Sequence, residues 1–332
     1  MLPTGSGPGG INTWSDSRQL LAIMGFAGTG WIHLNWSLQT MLKTGFVGLG
    51  AMGLPMARNL HKAGLLSAVW NRTPGKASDL SVETGCLHCD GLAELATHCD
   101  VIVTCVSADL DLLTVAEGLA AGLGPGDIVL DCSTVDSKTA RAVDRILSHR
   151  DAGFLDCPVS GGTEGARLGT LSIMVGGDTD DLNRAAPVLE AMGRTIVHLG
   201  PVGAGQAAKA TNQIMVAGIN QAVTEALAFG QAHGLPMDRL IEALSQGAAG
   251  NWFLSHRGPT MVKEEYPLGF KVMLHQKDLE ICAGMAAQKG VKLPIVEMTR
   301  IHYRRLMEQG HGESDISSLF ALKEEMFSTG DG

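Results

Sequence analysis

The sequence predicts a doubly wound parallel α/β sheet followed by an all-helical region, with one long helix joining the two. Three observations predict it. The stretch Gly45–Leu60, GFVGLGAMGLPMARNL, reads as a short apolar strand, a glycine-rich turn and a helix start. Short apolar runs then alternate with helical patterns, as in DVIVTCVS (100–107) and DIVLDCST (127–134). Beyond residue 214 the patterns are helical, as in MDRLIEALSQ and EICAGMAAQKG, with no convincing strand.

The chain of 332 residues is long enough for two domains, and 45% hydrophobic with 18% charged residues suits an ordinary globular protein. A formal net charge of −9 and the lack of a basic cluster argue against a nucleic-acid partner. Seven scattered cysteines, an odd number, fit reduced thiols in a cytoplasmic protein better than a disulfide framework. Residues 1–44 read as a disordered or non-native extension. Their apolar run, Leu20–Trp36, is interrupted by Gly28, Gly30, His33 and Asn35, too often for a membrane span. The start also lacks a signal peptide's basic region and cleavage pattern. Met41, just before the first strand, reads as a natural beginning.

Gly48, Gly50 and Gly53 satisfy G-x-G-x-x-G in its required strand–turn–helix context. With Leu49, Ala51 and Met52 they form a turn whose backbone and helix N-terminus suit a dinucleotide pyrophosphate. About twenty residues later, where an acid would hold a ribose 2′-hydroxyl, the chain has Asn71, Arg72 and Thr73, with Lys76 close behind. A guanidinium and a hydroxyl there favour a 2′-phosphate, hence NADP(H). The alternative is that Arg72 is a solvated turn residue. Val106, Ser107 and Thr134 fall at the carboxyl ends of later strands, the edge that faces ligand in open parallel sheets. Cys86, His88, Cys89, His98 and Cys99 match no standard zinc spacing, so no metal is expected.

FLDCPVSGG (154–162) ends in Ser160-Gly161-Gly162, a turn offering a hydroxyl and bare N–H groups to a carboxylate, or else a plain hairpin turn. GAGQAAKATNQ (203–213) carries Lys209, the single formally charged residue between Thr195 and Thr224. It falls in the first turns of a helix whose apolar pattern continues through Ile214, Met215, Ile219 and Val223. Helical spacing puts Asn212 and Gln213 on its face. A desolvated amine flanked by carboxamides can hold an oxygen and pass it a proton; the competing reading is a lysine that snorkels to the surface. GAAGNWF (247–253) breaks the later helical pattern and could line a pocket, with Trp252 and Phe253 as core or interface residues.

These motifs together resemble the β-hydroxyacid dehydrogenase family, which includes 3-hydroxyisobutyrate dehydrogenase, tartronate semialdehyde reductase and glyoxylate/succinic semialdehyde reductase. GFVGLGAMG, DCPVSGG, GAGQAAKATNQ and HQKDL (275–279) occur in family order, and the resemblance runs from about Thr44 to Phe327. It implies a Rossmann domain, here 45–202, and an all-helical domain, here 203–330, that builds a homodimer or homotetramer. It also implies substrate anchoring by Ser160, Gly161 and Gly162, an essential Lys209, and a helical amide at Asn212 with Gln213 as a second contact. Thr134 matches a threonine near the nicotinamide ribose. Lys277 and Asp278 match a pair that closes over the nicotinamide, with Phe270 upstream. Two positions depart from the pattern: Cys157 stands where many members have alanine, and Arg72 replaces the acid of the NAD-using branch.

The expected activity is metal-free, NADP-dependent interconversion of a small carboxylated aldehyde and its hydroxy acid, with Lys209 as acid/base. The alternatives are oxidation of 3-hydroxyisobutyrate, an imine reductase, from which Lys209 argues away, and a non-catalytic NADPH binder. A decarboxylating sugar-acid dehydrogenase shares this architecture but carries a long extra helical domain. No nucleic-acid or membrane partner is expected.

Overall fold

Each central strand of the first sheet sends alternate side chains to opposite faces, and both faces are covered. The structure is a computed structural model and describes residues 42–328; the expected extension over residues 1–41 lies outside the described residues. The chain runs β1 (Thr44–Val47), α1 (Gly53–Lys62), β2 (Leu66–Trp70), α2 (Pro74–Thr84), β3 (Leu87–His88), α3 (Leu92–Thr97), β4 (Val101–Thr104), α4 (Asp109–Ala120), β5 (Ile128–Asp131), α5 (Ser137–Ser148) and β6 (Gly153–Asp156). These strands form a parallel sheet of order β3-β2-β1-β4-β5-β6, so the strand order reverses between β1 and β4. Phe46, Val101, Val103, Ile128 and Leu130 enter one core; Val47, Ile102 and Val129 enter the other. That two-residue period is why the strands read as unbroken apolar runs. Thr44, placed by the sequence in the extension, is fully buried as the first residue of β1, and Leu42 packs on the core before it. A polar residue at the strand's start hid the boundary.

The chain continues through β7 (Val159–Ser160), α6 (Gly162–Leu168), β8 (Leu171–Val175), α7 (Thr179–Met192) and β9 (Gly193–His198). β7 pairs antiparallel and β9 parallel with β8, making a small mixed sheet that the sequence did not suggest. A bridge between Asp156 and Gly176 joins it to β6.

Then α8 (Ala204–Ala232) runs for 29 residues. It touches β6, β8 and α5 on one side and the remaining helices on the other. Those are α9 (Met237–Ser245), α10 (Trp252–Met261), α11 (Val272–Ala287), α12 (Pro294–Glu308) and α13 (Leu319–Ser328). Ala217, Leu227, Leu279, Tyr303 and Phe320 form their shared core. Met215, part of the apolar pattern read along this helix, is 62% exposed, because α8 buries one stripe along the bundle and Met215 lies off it. Among the described residues no helix is long and apolar enough to cross a membrane.

Candidate functional site

The three glycines after β1 have three different surroundings. A Cβ on Gly48, whose φ is +95°, would lie 2.2 Å from Cys105 O. On Gly53 it would lie 1.9 Å from Gly48 O. At Gly50 a Cβ meets nothing within 4 Å. The outer glycines thus permit close packing of the turn, while the middle one presents bare backbone to open space. α1 begins at this turn with no side-chain cap and no acid in its first turn. Its N-terminal potential is left for an anion, so the turn fits a dinucleotide pyrophosphate.

Asn71, just after β2, is committed to this turn: its Oδ1 accepts from Leu49 N at 2.8 Å and its Nδ2 donates to Thr73 O at 2.8 Å. Arg72 Nη1 instead donates to Asp111 Oδ1, 2.7 Å away in the first turn of α4. Thr73 is exposed and precedes α2, which starts at Pro74 and ends at the left-handed Gly85.

Val106, Ser107 and Thr134 follow β4 and β5, beside that turn. A buried network that the sequence did not reveal holds them. Asp131 Oδ1 accepts from Thr104 Oγ1 at 2.7 Å and from Ser133 Oγ at 2.6 Å, and Ser133 Oγ accepts from Val106 N at 2.8 Å. Burial pushes the Asp131 carboxyl up to about 6, against the pull of these donors. Gln206, in α8, donates to Ser133 O at 2.9 Å and accepts from Val135 N at 3.2 Å, clamping both sides of Thr134. Lys277 Nζ reaches Thr134 O from α11 at 2.6 Å, and Ser107 is exposed next to Val106.

Lys209 is 8% exposed, and its Nζ donates to Val159 O at 2.9 Å, so the amine sits against the residue before Ser160. Burial lowers its pKa; the Asp278 carboxylate opposes the shift and Lys277 adds to it. Asn212 donates to Gln213 Oε1 at 2.8 Å, and Gln213 Nε2 donates to Asp278 Oδ2 at 2.6 Å. Asp278 Oδ1 lies 3.1 Å from Lys277 Nζ. The two amides are therefore wired to the Lys277–Asp278 pair. Ser160 ends β7 opposite Ser172, followed by Gly161 (φ +133°) and Gly162 (φ +63°), conformations that only glycine adopts without strain. A Cβ on Gly162 would approach Gly269 O to 3.8 Å, which brings the segment before Phe270 to this turn. Asp315 fixes that segment by accepting from Gly269 N at 2.8 Å and Phe270 N at 2.9 Å.

Asp156 sets where α8 begins. Its two oxygens accept from Gly203 N at 2.7 Å and Gln206 N at 2.8 Å. Burial nevertheless raises its pKa to about 7. Of the remaining candidates, Phe253 is buried in the helical core, Trp252 is 60% exposed and stacks on His256, and Cys157 is buried beside β6. Among the described residues no three His, Cys, Asp or Glu side chains are grouped to hold a metal.

Comparison with known proteins gives this arrangement its family. Residues 43–200 match the NAD binding domain of 6-phosphogluconate dehydrogenase, and residues 203–322 the NAD-binding region of NADP-dependent 3-hydroxyisobutyrate dehydrogenase. The chain is 36% identical over 270 residues to a 3-hydroxyisobutyrate dehydrogenase of Pseudomonas aeruginosa, covering 78% of this chain and 90% of that one. The chain belongs to the β-hydroxyacid dehydrogenase family. As a member it is an NAD(P)-dependent oxidoreductase. It is also 37% identical over 287 residues to an NAD-dependent L-serine dehydrogenase of the same organism, covering 83% of this chain and 96% of that one. Among solved structures, a Mycobacterium tuberculosis 3-hydroxyisobutyrate dehydrogenase with L-serine superimposes with a TM-score of 0.79 at 30% identity, covering 85% of this chain and 99% of that one.

Proposed function

We propose that this chain uses NADP(H) to interconvert a small carboxylated aldehyde, a semialdehyde or glyoxylate, and its hydroxy acid, with Lys209 as the acid/base. One observation carries the reading: a buried amine with a lowered pKa, held 2.9 Å from the carbonyl of Val159, beside the Ser160–Gly162 turn. The bound cofactor supplies hydride exchange at the carbonyl carbon. Gly48–Gly53 hold its pyrophosphate, Asn71–Thr73 its adenosine side, and Val106, Ser107, Thr134, Phe270, Lys277 and Asp278 its nicotinamide side. Ser160 Oγ and the N–H groups of Gly161 and Gly162 hold the substrate carboxylate. Asn212 and Gln213 fix the reacting oxygen. In reduction the Lys209 ammonium gives that oxygen a proton; in oxidation the neutral amine takes it away.

We further propose that the chain folds as two domains divided between residues 202 and 203, works in the cytoplasm and forms a homodimer or homotetramer. Met215, Trp252 and Ile301, each more than half exposed on the helical part, are apolar side chains that a partner subunit would cover.

The first test is the initial rate of NADPH and NADH oxidation with glyoxylate, succinic, tartronate and methylmalonate semialdehydes. NADPH-preferring turnover of one of them is expected. Lys209→Ala loses about 10²–10⁴-fold in turnover while retaining NADPH binding. Near-normal turnover of this variant sinks the role of Lys209. A relative that is an L-serine dehydrogenase and a solved neighbour that holds L-serine favour a second reading, oxidation of a β-hydroxy acid. NAD+-linked turnover of L-serine or 3-hydroxyisobutyrate, with neither glyoxylate nor succinic semialdehyde reduced, selects it.

A further inference from the structure

The Arg72–Asp111 ion pair joins the two walls of the crevice at the strand-order switch. Arg72 leaves the end of β2, and Asp111 stands in the first turn of α4, behind β4. The guanidinium is 78% exposed and the carboxylate 28% exposed, with 2.7 Å between their nearest atoms. Asn71 is spent on Leu49 N and Thr73 O, which leaves Arg72 as the charged group of its triplet that can meet an anion. That group already has a counter-charge.

We infer that Asp111 is a specificity-determining residue that weakens the grip of Arg72 on an adenosine 2′-phosphate. The inference rests on reading Asn71–Thr73 as the adenosine side of the cofactor site. A phosphate monoester brings between one and two further negative charges. To reach Arg72 it must displace a partly desolvated carboxylate or lie beside it. A 2′-hydroxyl brings no charge and meets no such repulsion. Asp111 therefore lowers affinity for the phosphorylated dinucleotide and hardly touches the unphosphorylated one. Arg72 alone would make the site a stronger selector of NADP(H) than the pair does.

The test is calorimetric titration of the full chain with NADP+ and with NAD+, in wild type, Asp111→Asn, Arg72→Gln and the double variant. Asp111→Asn keeps an oxygen for Arg72 and removes the charge. It is expected to tighten NADP+ about tenfold while leaving NAD+ within about twofold, and the gain shrinks in high salt. With Arg72→Gln as background, the same substitution yields a smaller gain, because the group being released is gone. A merely structural role for Asp111 shifts both dinucleotides together. That result, or an unchanged ratio, overturns the inference. The NADP(H) reading fails separately, if wild type binds NAD+ more tightly; the ratio change in Asp111→Asn still decides the role of Asp111.

Discussion

Lys209 shows how one side chain is tuned by competing neighbours. Burial disfavours its ammonium form, and the Asp278 carboxylate restores part of what burial removes. The same carboxylate is tied to Gln213 and Lys277, so its position is not free to drift. Removing its charge therefore has a defined sign. In Asp278→Asn the Lys209 pKa falls further, and the ammonium that the proposed reduction requires is lost at lower pH. The limb of declining reductase activity in the pH–rate profile moves toward acid, and the rising limb of the oxidation moves with it. Steady-state rates in both directions from pH 5 to 10 measure this. A shift toward alkali, or limbs that stay in place, counts against Lys209 as the titrating group.

At the scale of elements, the turn after β1 separates a glycine that the packing requires from a glycine that faces open space, where the proposed cofactor would approach. Gly53→Ala drives a Cβ into Gly48 O, against backbone that cannot step aside, and is expected to cost about 1–3 kcal/mol in denaturant unfolding. Gly50→Ala meets open space, so it leaves unfolding within about 0.5 kcal/mol of wild type. It is expected to weaken dinucleotide binding instead, because the methyl would occupy the proposed approach of the pyrophosphate. Equal stability losses in the two variants would contradict this division. The same element was legible in the sequence because its spacing is local: three glycines, a strand before and a helix after. The start of α8 was half legible. Its residues and the charge of Lys209 stood out, but Asp156 lies 47 residues before the Gly203 N–H it caps, and Gln206 lies 73 residues beyond the Ser133 carbonyl it holds. Lys277 reaches Thr134 across 143 residues. Nothing in the local pattern of either partner records such pairings. The mixed sheet was hidden for a related reason, since β7 is two residues long and takes its conformation from pairing with β8.

At the scale of the whole molecule, buried titratable groups in the two cores pull stability in opposite directions with pH. Asp131 and Asp156 face each other in register on β5 and β6, and each has its carboxyl raised by burial, to about 6 and about 7. The unfolded chain ionises these groups near 3.8, so their contribution is fully present below that pH and is lost as pH rises through 6 and 7. His275 behaves in the opposite sense. It is fully buried, with Nε2 facing the Gln213 carbonyl and Nδ1 facing Tyr303 OH. The carbonyl can only accept, so the neutral ring carries its proton on Nε2. Burial lowers its pKa to about 4, so its contribution is present above 6.5 and is lost as pH falls toward 4. Between about pH 4 and 6.5 the two slopes offset one another, and a difference measurement exposes each. Asp131→Asn keeps the Oδ1 acceptor for Thr104 and Ser133 and places its amide at Oδ2, which has no hydrogen-bond partner among the described residues. That substitution carries a pH-independent cost and removes the carboxylate's slope. Relative to wild type, the variant is expected to gain roughly 3 kcal/mol between pH 4 and pH 7.5, read from urea unfolding at matched ionic strength. Its charge no longer raises Asp156, which moves that titration the same way. Parallel stability profiles for the two proteins would mean that Asp131 titrates in the fold as it does in the open chain, leaving it no part in the pH response.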